Sequence, residues 1–308
     1  MRWRIIVPAV VCSVAVGSLL AGPAQATSAG APAAKATDRQ IAVGPQYDTT
    51  HVYVTPGEAQ AFVTSWEKTF GGTNTKPVLT DVTPTPSKTV SELVLSPVGT
   101  LSVFDYQTPA PYPFGVERTG WLTTDLNTAV DQALKDGADV QVSPFDDPIG
   151  KDAVIEFPGG VHTQLYWHTT APHYAPLASV PENRVYVSSY AVSDFLRSYL
   201  RFTRGHVTAD QWRADGAEIG MPGTTYRRIA IDSPFGKTVV IVNDGHLPYP
   251  FGREETGYQV ADLTATLAKA RAAGAQVLWG PVTAGGRDSA VVQFPGGYVA
   301  EIHDTARR

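Results

Sequence analysis

The chain has 308 residues, a formal net charge of −5 at neutral pH and a single cysteine. One cysteine excludes a disulfide framework and a cysteine-based metal site. Aspartate and glutamate (29) outnumber lysine and arginine (24), and the sequence carries no basic stripe of the kind that nucleic acids require, so nucleic acid is not an expected partner.

Residues 1–26 predict a cleaved secretory signal peptide. Arg2 and Arg4 give a basic start, an apolar run covers residues 5–20, and small residues precede a cleavage site after Ala26. An apolar run of about 16 residues is short for a transmembrane helix. We therefore expect a secreted protein, extracellular or in the cell envelope, with no membrane association after cleavage. Residues 27–45 are rich in Ala, Gly, Thr, Ser and Pro and predict a flexible leader.

The strongest signal is an internal repeat. Residues 96–168 align without a gap to residues 233–305, at a constant offset of 137, with 25 identities in 73 positions. Upstream, residues 51–54 match residues 184–187 more loosely. A repeat of this length indicates a duplicated structural unit. It predicts two similar halves, at residues 46–172 and 180–305.

Each half contains two predicted helices among β-rich runs. Asp125 and Asp262 have the side chains of helix N-caps, and Gly137 and Gly274 stand where a left-handed residue ends a helix. Aromatic residues spaced by about four predict the earlier helix of each half, at residues 62–70 and 195–202. The sequence therefore predicts an α+β fold of four tandem βαβββ modules, paired into two domains.

The modules resemble those of the vicinal oxygen chelate superfamily, which includes glyoxalases, bleomycin-resistance proteins and extradiol dioxygenases. The resemblance rests on the Phe-Pro-Gly-Gly hairpins at residues 157–160 and 294–297, and on the Asp-Leu, helix, Gly-Ala segments at residues 125–138 and 262–275. It covers residues 46–305 and implies two glyoxalase-like domains. It implies no single reaction, because the superfamily includes isomerases, lyases, dioxygenases and drug-sequestering proteins.

In metal-using members of that superfamily, His, Glu or Gln ligands come from the first and last strands of the paired modules. The corresponding positions are His51, Ser102, Arg118 and Gln164 in the first half, and Arg184, Val239, Glu255 and Glu301 in the second. Neither set is complete, because Arg keeps its proton and Val has no donor atom. Glu255 and Glu301 remain as candidate ligands of a divalent metal, with Glu301 also the candidate catalytic group; alternatively, both are polar residues lining a cavity or a strand rim.

Four further polar positions are candidates for substrate binding. Every second residue of one predicted strand is polar or aromatic, at His162, Gln164, Tyr166 and His168, so these four side chains share one face. This pattern predicts either a binding surface or a solvated face. His303 shares a strand face with Glu301, and His51 stands where a first-strand ligand belongs. A further possibility is that the first and fourth modules pair, which would bring His51, Glu255 and Glu301 together.

Two functions remain open from the sequence. One is a metal-dependent lyase, isomerase or dioxygenase acting on a small molecule. The other is a non-catalytic protein that binds a small molecule and has lost its metal sites. Whether the protein is an enzyme, whether it holds a divalent metal, which half is active and which oligomer it forms are left undecided by the sequence.

Overall fold

The computed structural model describes residues 45–305. The predicted signal peptide and all but the last residue of the predicted leader lie outside this range. Within it, none of the helices is both long and apolar enough to cross a membrane.

The described chain forms four consecutive modules of one strand, one helix and a run of further strands. In the first half they comprise β1 (Asp48–Tyr53), α1 (Ala59–Phe70), β2 (Thr73–Asn74), β3 (Val78–Thr80), β4 (Thr89–Ser96) and β5 (Gly99–Tyr106), then β6 (Gly120–Leu122), α2 (Leu126–Lys135), β7 (Asp139–Asp146), β8 (Gly150–Phe157) and β9 (Val161–His168). In the second half they comprise β10 (Glu182–Val187), α3 (Val192–Thr203), β11 (His206–Asp215), β12 (Thr225–Ser233) and β13 (Gly236–Val242), then β14 (Glu255–Gln259), α4 (Leu263–Ala272), β15 (Gln276–Ala284), β16 (Arg287–Gln293) and β17 (Val299–Thr305). The predicted α+β fold of four βαβββ modules is confirmed.

Helix ends follow the local chemistry expected from the sequence. The Asp125 side chain accepts a hydrogen bond from the Thr128 amide at the start of α2, and Asp262 does the same for Ala265 at the start of α4. Just after each helix, Gly137 and Gly274 adopt positive φ angles of 96° and 91°. Glycine reaches this conformation without steric cost, so each helix can turn sharply into the next strand.

In every module the first strand lies parallel to the last. These pairs are β1 with β5, β6 with β9, β10 with β13 and β14 with β17. In the second half, β10 and β14 also pair with each other, which joins two modules into one eight-stranded sheet. In the first half, β1 and β6 meet through one bridge, Thr50 with Thr119, and a hydrogen bond from the His51 amide to the Arg118 carbonyl (3.1 Å). We call the concave faces of these paired sheets the first cup (β1–β9) and the second cup (β10–β17).

The main hydrophobic cores join modules from different halves. Phe62 and Trp66 of α1 pack against Phe294 and Tyr298 of the fourth module, with ring centroids between 5.0 and 6.1 Å apart. Trp121 of the second module packs against Phe235 of the third at 4.7 Å. Each core therefore contains helices from the first-and-fourth or the second-and-third modules. Among the described residues, no strand of β1–β9 pairs with a strand of β10–β17, whereas both large apolar cores contain residues from the two halves.

Candidate functional site

The first cup encloses a cavity of about 290 Å³. It is lined by side chains from both modules of the first half: Asp48, His51, Tyr53, Thr75, Lys76, Val78, Thr80, Val82, Ser91, Glu92, Leu93, Ser102, Phe104, Phe114, Asp147, Pro148, Ile149, Asp152, Gln164, Tyr166 and His168. Ligand pockets of proteins are concave and largely apolar, with a few converging polar groups. This cavity has both features.

Apolar and aromatic residues form the walls and the mouth of the cavity. Phe104 stacks on Tyr53 with ring centroids 5.3 Å apart, and Phe114 contacts the same apolar cluster. Phe114 belongs to the repeated Pro-Tyr-Pro-Phe-Gly segment, and it forms part of the cavity wall. At the mouth, Val78 and Ile149 are 58% and 57% exposed. Large apolar side chains exposed beside a cavity are typical of a surface that contacts a ligand.

A buried carboxylate connects two polar side chains of the cavity. The Tyr53 hydroxyl donates a short hydrogen bond to Glu117 Oε1, and His51 Nδ1 lies 3.4 Å from the same oxygen. Glu117 is fully buried, and its Oε2 has no hydrogen-bond partner among the described residues. Burial and the neighbouring Glu117 raise the pKa of Tyr53 well above its ordinary value. Tyr53 therefore stays protonated and holds Glu117 in place behind the cavity.

Three aspartates also line the cavity. Asp48 accepts hydrogen bonds from the Ser102 hydroxyl (3.0 Å) and the Tyr174 hydroxyl (3.3 Å). Burial raises the pKa of Asp152 well above its ordinary value, and the charges of Asp147 and Asp48 raise it further. Burial also raises the pKa of Asp147. The cavity therefore has a strongly acidic side.

A glycine makes room for the polar centre of each cup. A Cβ atom on Gly120 would lie 2.6 Å from His51 Nε2, and a Cβ atom on Gly257, the repeat partner of Gly120, would lie 2.7 Å from Glu301 Oε2. Both distances are shorter than van der Waals contact. These two positions admit only glycine unless the polar side chains move.

In the second cup, a buried arginine occupies the polar centre. Arg184 is 1% exposed, and its guanidinium donates to Glu182 at 3.1 Å and to Glu218 at 3.0 Å. The same guanidinium lies 3.6 Å from Glu255 Oε1 and 3.8 Å from Glu301 Oε1. Four carboxylates therefore surround the guanidinium of Arg184, and Arg287 and Arg228 add ion pairs with Glu182 (3.0 Å) and Glu218 (3.3 Å). In a buried network of this kind each charge depends on its partners.

The predicted metal ligands belong to this network. Glu301 Oε2 lies 2.7 Å from His303 Nδ1, and Glu255 accepts a hydrogen bond from the Tyr186 hydroxyl at 3.2 Å. Burial raises the pKa of Glu255 to about 7, although Arg184 acts in the opposite direction. Around these groups, apolar side chains including Ile219, Val239, Phe251, Val291 and Val299 pack together inside the second cup. The second cup is thus filled by its own side chains.

Neither cup offers a donor set that fits a divalent metal. At Glu255 and Glu301, the guanidinium of Arg184 already neutralises the carboxylates, and a metal cation in the same place would be repelled by it. In the first cup, the corresponding positions include Arg118, which cannot coordinate. Within residues 45–305, no three His, Cys, Asp or Glu side chains are arranged to hold a metal ion. His51, Glu255 and Glu301 do not converge, because His51 contacts Glu117 of the second module.

The four predicted substrate-binding residues lie at three different places in the structure. His51 and Gln164 line the cavity of the first cup. His162 lies outside it, where it contacts the Tyr112 hydroxyl (2.9 Å) and Glu156 (3.2 Å), and His303 lies in the second cup. Along β9, Gln164, Tyr166 and His168 line the cavity, whereas His162 lines a separate surface depression.

Sequence reasoning missed the acidic residues of the first cup, which are Asp48, Glu92, Glu117, Asp147 and Asp152. Glu117 directly precedes Arg118, the position that the resemblance aligned with a metal ligand. Glu117 is identical to its repeat partner Glu254, and this identity was a signal that could have identified it. Asp147 and Asp152 flank the β7–β8 turn, and their repeat partners are Ala284 and Ser289. The sequence shows that the two copies differ at these positions, but only the fold shows that both aspartates line a cavity.

The fold is similar to that of several solved enzymes. A triple mutant of 4-hydroxymandelate synthase from Streptomyces coelicolor matches 86% of this chain and 95% of its own, with a TM-score of 0.57 and 12% identity. A 2,3-dioxygenase from Pseudomonas sp. KL28 matches 87% of this chain and 94% of its own, with a TM-score of 0.52 and 11% identity. The Mn(II)-bound glyoxalase from Novosphingobium aromaticivorans matches 86% and 82%, with a TM-score of 0.50 and 12% identity.

These similarities concern the fold, since the sequences are only 11–12% identical. No protein-family model and no curated protein sequence matches the chain. The chain therefore shares the fold of these solved enzymes, which is the fold that the predicted resemblance implied.

Proposed function

We propose that this is an exported protein that binds a small organic molecule in the first cup and needs no metal ion to do so. The observation that carries the proposal is the contrast between the cups. The first encloses a cavity of about 290 Å³ with apolar walls and polar groups, whereas Arg184, its carboxylate partners and an apolar cluster fill the second. This favours the binding-protein alternative over the metal-dependent enzyme.

The structural neighbours support a small-molecule ligand. Their names describe a synthase of 4-hydroxymandelate, a 2,3-dioxygenase and a glyoxalase, whose substrates are small organic molecules. The glyoxalase is Mn(II)-bound, whereas among the described residues of this chain no three His, Cys, Asp or Glu side chains are arranged to hold a metal ion. Binding of a small molecule in the first cup without a metal ion agrees with the kind of neighbours and with the lack of a metal-binding donor set.

Binding in the first cup can be tested with two matched variants on one strand. Val78 and Leu79 are neighbours on β3 with similar exposure, 58% and 61%, but only Val78 lines the cavity. A fragment library is screened against the mature protein by ligand-observed NMR, and the affinities of the best hits are measured by calorimetry. We expect Val78→Trp to weaken these hits by roughly tenfold or more, because the indole narrows the mouth. Leu79→Trp should leave them unchanged.

Two results would overturn the proposal. One is a library that yields no hits. The other is a set of hits that bind Val78→Trp and Leu79→Trp equally well but are lost on substitution within the second cup.

Export is tested separately. The full chain, expressed with its own N-terminus in a secreting bacterium, should appear outside the cytoplasm with a mass that corresponds to a start at Thr27. Retention of the intact chain in the cytoplasm would contradict this part of the proposal and leave ligand binding untouched.

A further inference from the structure

The cavity of the first cup contains more acidic than basic groups. Asp48, Asp147, Asp152 and Glu92 line it, and the basic residues that line it are Lys76, which is exposed, and the histidines His51 and His168. His51 faces Glu117, a further buried carboxylate, and His168 lies near Asp147.

The aspartates of the cavity lack strong cationic partners. In the described part of the chain, Asp48 is bonded to the neutral hydroxyls of Ser102 and Tyr174, and Asp152 to the neutral amide of Gln164. No lysine or arginine forms an ion pair with Asp48, Asp147 or Asp152 within residues 45–305. A buried carboxyl group without a cation resists ionisation, which is why burial raises the pKa of Asp147 and Asp152, and a cationic ligand would supply the partner that lets them ionise.

This acidic lining is not a relic of the duplication. The second copy has Ala284 in place of Asp147 and Ser289 in place of Asp152. In the second cup the carboxylates are instead arranged around Arg184, which supplies their cation from within the chain. The two cups thus share an excess of carboxylates, but among the described residues only those of the second cup form ion pairs with arginine, whereas those of the first have the histidines His51 and His168 beside them.

The rest of the cavity suits an organic cation better than an inorganic one. The aromatic residues Tyr53, Phe104 and Phe114 line it, and aromatic rings attract organic cations. The hydroxyl of Tyr166, a residue that is 4% exposed, has no acceptor for its proton among the described residues. No set of donors fit for metal coordination is present in the described chain.

We infer that the ligand of the first cup is a small organic cation, an amine or ammonium group carried on an aromatic or aliphatic body. The charged group would lie against Asp48, Asp147 and Asp152, and the apolar body would contact Phe104, Phe114 and the mouth residues. The volume, about 290 Å³, lies at the low end of the range for ligand pockets, so the ligand is compact. This inference rests on the proposed function, since it names the ligand class of the same cavity.

Three probes of one shape and different charge test the inference. These are 2-phenylethylammonium, 2-phenylethanol and 3-phenylpropanoate, titrated into the mature protein by calorimetry at low ionic strength. We expect the ammonium probe to bind roughly tenfold more tightly than the alcohol, with the carboxylate probe weakest. Added salt should weaken the ammonium probe most, because its attraction is electrostatic.

A pair of adjacent aspartates provides the matched control. Asp147 lines the cavity, whereas Asp146 is 81% exposed and forms a surface ion pair with Lys151. Asp147→Asn should weaken the ammonium probe several-fold and leave the alcohol unchanged, whereas Asp146→Asn should affect neither. Asp152→Asn should produce a larger loss, with thermal melting used to verify that this more buried variant folds.

The outcomes separate this inference from the proposed function. If the alcohol or the carboxylate probe binds as tightly as the ammonium probe, or if Asp147→Asn and Asp152→Asn leave the ammonium affinity unchanged, the cation inference falls and the binding function stands. If the ammonium probe fails while the fragment screen finds neutral or anionic ligands in the first cup, the result is the same. If neither the probes nor the library bind, both are overturned.

Discussion

Arg184 and Glu255 are register partners on the adjacent strands β10 and β14, and Arg184 Nε lies 3.6 Å from Glu255 Oε1. The guanidinium therefore stands at the centre of the second cup, against the two carboxylates that the sequence marked as metal ligands. In the first cup, His51 occupies the corresponding strand position beside an acidic cavity. The two copies of one duplicated fold thus differ: the first half has a cavity that is a candidate binding site, and the corresponding space in the second half is occupied by side chains.

Loss of the buried guanidinium should strongly destabilise the fold. Arg184→Met leaves Glu182, Glu218, Glu255 and Glu301 without their shared cation, and breaking a buried ion network typically costs about 3–5 kcal/mol. Urea unfolding of the two proteins measures the difference. Arg197→Met, which breaks an exposed pair with Asp194, should change the free energy of unfolding by less than about 1 kcal/mol. Equal stabilities for Arg184→Met and Arg197→Met would show that the network is not structural.

Replacing Arg184 by a neutral ligating residue should create a metal site. In Arg184→His, an imidazole would join Glu255 and Glu301, which is a donor set that suits Zn²⁺ or Mn²⁺. We expect these ions to raise the melting temperature of Arg184→His and to leave that of the unaltered protein unchanged. Arg184→Met is the control, because it removes the same charge and adds no imidazole. An equal rise in Arg184→Met, or in the unaltered protein, would contradict this interpretation of the second cup.

The network should also give stability an optimum in mildly acidic solution. Burial raises the pKa of Glu255 from 4.5 to about 7, so its contribution is complete below about pH 4.5 and is lost as the pH rises through about 7. Burial would also raise the pKa of Glu218, but Arg184, Arg228 and Arg287 outweigh it and lower that pKa to about 2. The contribution of Glu218 is therefore complete above about pH 4.5 and is lost as the pH falls towards about 2.

Urea unfolding across this pH range measures the effect. The free energy of unfolding should fall between about pH 4.5 and about pH 7, and Glu255→Gln should flatten this limb because glutamine resembles the protonated acid. The exposed Glu58, whose side chain makes no helix-capping bond, provides the control substitution Glu58→Gln. A limb that is equally steep in all three proteins would rule out Glu255 as its origin.

Gly120→Ala should displace His51 and weaken ligand binding. The added Cβ would lie 2.6 Å from His51 Nε2, so the ring must move within a buried site, and overpacking of this kind costs about 1–3 kcal/mol. We expect a lower melting temperature and a weaker affinity for the fragments that bind the first cup. Gly245→Ala is the control, since its nearest neighbour would be 3.8 Å away. Unchanged fragment affinity in Gly120→Ala would remove His51 from the site.

The shared cores predict that the two halves unfold together. Trp66 of α1 is fully buried against the fourth module. We expect Trp66→Ala to lower the free energy of unfolding by about 3–5 kcal/mol. Because the core crosses the halves, calorimetry should show one transition, shifted as a whole to lower temperature. Leu134→Ala, at a half-exposed position of α2, should shift it little. Two separate transitions, only one of which responds to Trp66→Ala, would mean that the halves are independent domains.

The fold could be read from the sequence because its signals are local. The Asp125 and Asp262 caps and the glycines that follow α2 and α4 depend only on neighbouring residues, and the structure shows these caps and turns as expected. The 137-residue offset needs only a comparison of the sequence with itself. The choice of core partners was not accessible in this way. Trp66 belongs to the apolar face of α1, and the sequence pattern of that face is the same whether the helix packs within its own half or on the fourth module.

The site was less predictable because it depends on long-range contacts. Arg184 was recognised as unable to bind a metal, but its role as the cation of the second cup depends on Glu218, which lies on a turn 34 residues away. Likewise, Asp147 and Asp152 become significant only once the fold brings them close enough to Asp48 for the charges to interact. Residue type limited what each position could do, and only the three-dimensional arrangement selected among those roles.

A crystal structure of the mature protein soaked with the fragment hits would locate the ligand site. We expect fragment density in the first cup, between the ring of Phe114 and the carboxylate of Asp152, with Arg184 still bound to its glutamates in the second cup. Density beside Glu301 with Arg184 displaced, or fragments bound everywhere except in the first cup, would contradict this expectation.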